Sequence, residues 1–208
     1  MKEKPQAALY KTKYGHFTED GKEFVITRCD PPVPWVNVIS NGEYGLTFSS
    51  TGTGYSWLTH ARINRLTRWA QDLIKDEWGK FIYLRDNKTG NRWSLCYKPT
   101  CYWPESYEVR HGLGYSQVKS RYKEIESTLL IFVPPHENVE IWQVKVKNLS
   151  SYKRSIGVFT YLEWCLGEYP DWHREFHKTF FDTSFDKNLQ SIFATKSLWQ
   201  IPDAKDNY

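Results

Sequence analysis

Short runs of alternating apolar and polar residues, each stopped by glycine, proline or asparagine, recur along almost the whole of this chain. Alternation with a period of two sends successive side chains to opposite faces of a strand, and such dense punctuation leaves little room for long helices. KFIYLRD and NRWSLCY (80–86 and 91–97) straddle the turn residues NKTG and form the clearest hairpin. EFVITR (23–28) is halted by CDPPVP (29–34), because proline supplies no N–H to a ladder. WVNVIS (35–40) runs into Asn41-Gly42, a pair that tolerates the positive φ of a tight turn. LTFSS (46–50) and GYSWL (54–58) are separated by another glycine-bearing turn. YSQVKSRY (115–122) and IESTLLIFVP (125–134) are divided only by Lys123 and Glu124, and VEIWQVKVKN (139–148) and KRSIGVFTYLEW (153–164) lie on either side of LSSY. The pattern predicts an all-β fold, an antiparallel sandwich or barrel. One stretch departs from it: in HARINRLTRWAQDLI (60–74), Ile63, Leu66 and Ala70 recur near helical spacing, which predicts a helix or, failing that, an arm crossing the sheet.

Ten Trp, fourteen Tyr and eleven Phe in 208 residues suit pleated, half-buried surfaces. These rings serve either as core or as flat faces for sugars. The net charge of +4 is spread out rather than gathered in a patch, which argues against nucleic acid. Cys29, Cys96, Cys101 and Cys165 show no CxxC pair and no metal spacing; free buried thiols are expected, with a Cys96–Cys101 pairing as the alternative. The opening residues lack the apolar core of a signal peptide, and no apolar run is long enough for a membrane span. A cytoplasmic setting without membrane attachment is expected, with residues 1–208 as one domain and 1–9 as a flexible lead-in.

YEVRHGLGYSQVKSRY (107–122) holds a His, a flanking Arg and two glycines, as a phosphate-cradling loop does. Such a loop needs a helix N-terminus behind it to supply oriented N–H donors. Here strands lie on both sides, so HGLG is expected to be a strand connection and His111 a structural residue. Glu43, Asp86, Glu108, Glu126, Glu140, Glu163, Glu168, Asp171 and Glu175 are the acids to weigh as proton donors. Most alternate with apolar residues or sit in turns, and nothing around them raises a pKa. They read as non-catalytic.

Strand patterning stops in LEWCLGEYPDWHREFHKTF (162–180). Tyr169, Asp171, Trp172, His173, Arg174 and His177 crowd together there, rings beside polar groups that can fork onto hydroxyls, as sugar recognition needs. The other reading is a charged loop crossing a sandwich end, or a dimer contact. His173 and His177 are four apart, but His-Arg-Glu-Phe-His is not the HExxH order of zinc enzymes, and no metal is expected.

Taken in order, YGHF (14–17), EFVITRCDPPVPWVNVISNGEYG (23–45), STGTGYSW (50–57), RLTRW (65–69), GKFIYLRDNKTGNRWS (79–94), YEVRHGLGYSQVKSRY (107–122) and FVPPHENVEIWQVKVKN (132–148) resemble the N-terminal domain of glycoside hydrolase family 94, formerly glycosyltransferase family 36. These are inverting phosphorylases of cellobiose, cellodextrins, chitobiose and related β-linked sugars. The resemblance implies a galactose mutarotase-like β-supersandwich, one that can be incomplete at its C-terminus here, ahead of an (α/α)6 barrel that carries the catalytic Asp and the phosphate site. It implies no catalytic residue in this chain, inorganic phosphate as co-substrate rather than any cofactor, a β-linked oligosaccharide or glucoside as substrate, and a homodimer. By the same analogy the 169–177 segment meets the acceptor sugar across the dimer interface. A stand-alone carbohydrate-binding module is the alternative.

Overall fold

The computed structural model describes residues 10–70, 79–169 and 174–197. In chain order its strands are β1 (Gly15–Phe17), β2 (Glu23–Ile26), β3 (Val36–Ser40), β4 (Tyr44–Ser49), β5 (Gly54–Leu58), β6 (Arg65–Thr67), β7 (Phe81–Asp86) and β8 (Arg92–Ser94). They continue with β9 (Ser106–Gly112), β10 (Tyr115–Tyr122), β11 (Ile125–Phe132), β12 (Ile141–Asn148), β13 (Ile156–Tyr161) and β14 (Trp164–Gly167). One helical turn, α1 (Arg174–His177), leads through Lys178–Phe180 into a final hairpin of β15 (Phe181–Asp186) and β16 (Ser191–Lys196).

Every strand pairing is antiparallel. A six-stranded sheet runs β1-β2-β9-β10-β11-β12, a five-stranded sheet β14-β6-β5-β4-β3, and a three-stranded sheet β13-β7-β8. The alternation seen in the sequence becomes the inward face: along β11, Ile125, Ser127, Leu129 and Ile131 are buried while their neighbours are only half so. Val109, Val118, Leu129 and Ile131 of the large sheet meet Ile39, Leu46 and Phe48 of the five-stranded sheet in one core. A second cluster joins Ile125 and Val146 to Leu84, Trp93 and Ile156. The five- and three-stranded sheets therefore form one discontinuous layer against the six-stranded sheet. Each fully buried aliphatic or aromatic side chain here contributes roughly 1.5–3 kcal/mol by leaving water.

The HGLG stretch is the strand connection its flanks predict. Gly112 pairs with Tyr115, so Leu113 and Gly114 make the turn, and Gly114 takes the φ of 84° that only glycine adopts without strain. His111 is mostly buried and its Nδ1 lies 2.9 Å from Ser116 Oγ. Residues 60–70 correct the helix expectation. Arg65–Thr67 form β6, wedged between β5 and β14, and 71–74 lie outside the described residues. Ladder partners on both sides outweigh a weak apolar spacing interrupted by Thr and Asn. KRSIGVFTYLEW is not one strand either. β13 stays with β7, and β14 crosses to the edge of the five-stranded sheet beyond a break at Leu162 and Glu163. The four cysteines are free, as expected, but only Cys29 and Cys165 are buried and Cys101 is exposed.

Candidate functional site

Where β14 ends, the chain enters the segment singled out by its rings and charges, and its root is tied down by β5 and β6. Alternation along β5 sends Tyr55 and Trp57 to the outer face and Ser56 inward. Trp57 lies across Gly45 of β4, where an added Cβ would sit 2.3 Å from the indole. Tyr55 stands 5.3 Å from Trp57 and stacks on Trp69 at 5.6 Å, 19° off parallel. The Arg65 guanidinium is sandwiched between two rings, its Cζ 3.7 Å from the Tyr55 centroid and 4.1 Å from that of Tyr169. Its edge is also engaged: Nε donates to Ala61 O at 3.2 Å and Nη1 to Trp69 O at 3.0 Å. A planar cation with donors on its rim fits both tasks at once, which lysine cannot do. Beside it the Tyr169 N–H donates to Arg62 O at 2.9 Å, and Arg62 Nη2 reaches Glu168 Oε1 at 3.2 Å.

Of the predicted site residues, Tyr169 is thus brought against Arg65. Asp171, Trp172 and His173 lie outside the described residues, as does the side chain of Arg174, whose backbone opens α1. His177 closes α1, half-buried. The following hairpin is fastened to β14 by Lys196 Nζ, which donates to Cys165 O at 3.2 Å.

Sequence reasoning missed Arg65, Tyr55 and Trp69 as the support of this segment. The alternation of Tyr55 and Trp57 was a legible signal that two rings share a face. That Arg65 would lie between Tyr55 and Tyr169 depends on β14 joining β6, which no local pattern announces.

Beneath the aromatic face, Ser56 enters a buried polar cluster. Ser56 Oγ donates to Glu140 Oε2 at 2.6 Å, and the Lys80 ammonium is ion-paired with Glu140 Oε1 and 5.1 Å from the Trp142 ring centroid. Burial pushes the Lys80 pKa below its ordinary value while Glu140 opposes the shift, and burial raises the Tyr44 phenol beside them. A serine, a lysine and a carboxylate converge here. Ser56, Lys80 and Glu140 satisfy one another there, so the cluster acts as a polar brace tying β5 to the residues just before β7 and β12.

The other carboxylates weighed as proton donors face cations. Glu108 lies 2.8 Å from Arg110, Glu126 3.2 Å from Lys119, Glu163 3.7 Å from Arg68, and Asp86 2.6 Å from Arg154. Glu43 is exposed, and Asp171 and the side chain of Glu175 fall outside the described residues. For Asp86, burial works to raise the carboxyl but hydrogen bonds from Lys88 and Arg154 hold it below its usual value, the opposite of what a general acid needs at neutral pH.

Residues 22–205 match the model of the glycosyl hydrolase 94 supersandwich domain. The chain belongs to that family. The supersandwich is 39% identical over 153 residues to an N,N'-diacetylchitobiose phosphorylase of Vibrio furnissii, covering 73% of this chain and 19% of that protein. It is 36% identical over 147 residues to a 3-O-beta-D-glucopyranosyl-beta-D-glucuronide phosphorylase of Paenibacillus borealis, covering 71% of this chain and 18% of the relative. The cyclic beta-(1,2)-glucan synthase NdvB of Rhizobium meliloti (strain 1021) is 30% identical over 185 residues, 88% of this chain and 6% of its own length. The chain therefore spans about a fifth or less of these relatives. Among the described residues no helix is long and apolar enough to cross a membrane.

Proposed function

We propose that this supersandwich is the N-terminal, non-catalytic domain of a cytoplasmic, homodimeric, inverting β-glucoside phosphorylase. The observation that carries the reading is the family match over 22–205, joined to carboxylates that face cations instead of a reaction centre. In the parent enzyme an oxygen of inorganic phosphate attacks the anomeric carbon with inversion. The glycosidic bond breaks, and a carboxylic acid of the (α/α)6 barrel protonates the departing oxygen. This chain supplies neither group. It buttresses the barrel, contributes to the subunit contact and presents the segment 169–177, with Asp171, Trp172, His173 and Arg174, to the acceptor sugar. Residues 1–9 lead into the single domain 1–208.

The chain alone is expected to show no phosphate-dependent release of a sugar 1-phosphate from cellobiose or N,N'-diacetylchitobiose; measurable release overturns the non-catalytic assignment. In the full-length protein, Trp172→Ala with Arg174→Ala is expected to raise the acceptor KM in the synthetic direction. Unchanged acceptor kinetics remove the segment from the acceptor site.

A second reading, a carbohydrate-binding module, is favoured by Trp103 and Tyr102. Both rings are exposed, Trp103 to 63%, on a loop fastened by Ser94 and Thr100. Calorimetric titration of the chain with cellobiose and longer glucans tests it, and an absence of heat at millimolar ligand sinks it.

A further inference from the structure

Three turns remote in sequence close around one cavity: the β7–β8 turn, the β10–β11 turn and the connection from β12 to β13. The space between them is about 500 Å³, within the range of pockets that hold small molecules. It lies at the Asp86–Ile156 end of the β7–β13 pair, remote from Phe81 and Tyr161 at the other end.

Its floor is hydrogen-bonded throughout and internally neutral. Arg154 Nε donates to Asp86 Oδ2 at 2.8 Å, and Arg154 Nη2 lies 2.6 Å from the same oxygen. Asp86 Oδ1 accepts the N–H groups of Lys88 at 2.9 Å and Thr89 at 3.3 Å. Arg154 Nη1 donates onward to Lys123 O at 3.2 Å and to the Tyr152 hydroxyl at 3.3 Å. Both charged side chains are buried, 8% exposed for Arg154 and 2% for Asp86. Burial works to raise the Asp86 carboxyl, but the Lys88 N–H and the Arg154 guanidinium outweigh it and hold the group below its usual value.

The rim is different. Lys88, Lys123 and Lys153 line it together with Glu124. Lys22, Lys80 and Lys119 each pair with a carboxylate, whereas these three ammoniums have no such partner among the described residues. Four cations line the cavity against two carboxylates, a surplus of two positive charges. The Lys123 backbone is set by its turn, where it and Glu124 both take positive φ, 48° and 61°, and its ammonium lies 5.6 Å from the Tyr122 ring centroid. Tyr152 adds a ring that is 53% exposed, one face of it meeting Arg154 Cζ at 5.4 Å and the other open.

We propose that this cavity binds a sugar phosphate, its phosphate held by Lys88, Lys123 and Lys153 and its sugar ring lying on Tyr152. A phosphate monoester carries about −1.5 to −2 charges at neutral pH, which matches the surplus. The aromatic face adds what a bare ion does not use. The inference is independent of the acceptor-site reading, since it draws on other residues.

The test is site-resolved acetylation of lysines in the full-length protein, read by peptide mass spectrometry with glucose 1-phosphate, inorganic phosphate or glucose present. At ligand near twice its Kd, modification of Lys88, Lys123 and Lys153 is expected to slow roughly threefold by mass action. Lys145 and Lys147, exposed on β12, serve as controls and are expected to be unaffected. Protection should be strongest with glucose 1-phosphate, weaker with phosphate and absent with glucose. In the K123Q/K153Q variant the protection of Lys88 should disappear, and Tyr152→Ala should reduce glucose 1-phosphate to the level of inorganic phosphate. No protection at 10 mM (roughly tenfold above a millimolar Kd), equal slowing of the control lysines, or equal protection by phosphate and glucose 1-phosphate each overturns the proposal.

Discussion

The two halves of this molecule treat apolar surface in opposite ways. Between the six- and five-stranded sheets, Val109, Leu46, Leu129 and Ile131 are almost wholly buried, and even Lys80 and Glu140 are matched to each other. Along β13 past Ile156, and again in the final hairpin, the pattern reverses. Val158 and Phe159 are 51% exposed, Ile192 of the last hairpin is 66% exposed, and β13 has β7 as its one ladder partner among the described residues. The outer strand β12 is an open edge too, but past Ile141 its exposed positions are polar: Gln143, Lys145, Lys147 and Asn148. Charged residues blunt an edge against unwanted pairing, and apolar ones invite it. β12 is thus built as a boundary and β13 as a surface to be covered.

The largest effects should come from the closed half. Phe48→Ala removes a ring wedged between the sheets and is expected to cost about 3–5 kcal/mol in urea denaturation, whereas Phe159→Ala on β13 should cost well under ~1 kcal/mol. Similar losses at both positions would erase the contrast. Glu140→Ala strands the Lys80 ammonium in the core, and breaking such a buried pair costs roughly 3–5 kcal/mol. A stable Glu140→Ala protein would show the pair to be dispensable.

Next in size is a pH effect seated in the closed half. Burial pushes the His111 pKa down to about 4 from its ordinary value of 6.5, so the ring is neutral in the folded chain. Unfolding lets it take up a proton. Stability contributed by the neutral ring is therefore complete above about pH 6.5 and is lost as pH falls towards 4, by up to about 1.4 kcal/mol per pH unit. Denaturation at several pH values should show this slope, and His111→Gln should flatten it; an unaltered slope in the variant assigns the effect elsewhere. The smallest change in stability, within about 0.5 kcal/mol, is expected for Val158→Lys. Its readout is sedimentation: the chain should self-associate through its apolar edge, and the added lysine should reduce that association. A parent chain that is strictly monomeric at high concentration would break the comparison.

Most of the strand layer is legible in the amino-acid sequence. The hairpin across NKTG and the turn at Gly114 follow from local alternation and from the backbone freedom of particular turn residues. The segment 60–70 is not, because Ile63 and Leu66 mimic a helical spacing that only the neighbouring ladders of β5 and β14 overrule. Of the candidate segment, the sequence marks its rings and charges but not its anchor, since Arg65 meets Tyr169 through a pairing of strands about a hundred residues apart.

The sequence by itself determined that this chain is layered sheet, where it turns, and which family it resembles. Those are properties of short windows, where side-chain period and turn chemistry act. The tertiary structure alone decided that β13 and β14 part into different sheets, that carboxylates meet arginines and lysines, and that Asp86, Lys123 and Arg154 surround one cavity. Strand partners are chosen by the burial and hydrogen bonding of the whole assembly, which no single stretch of chain encodes.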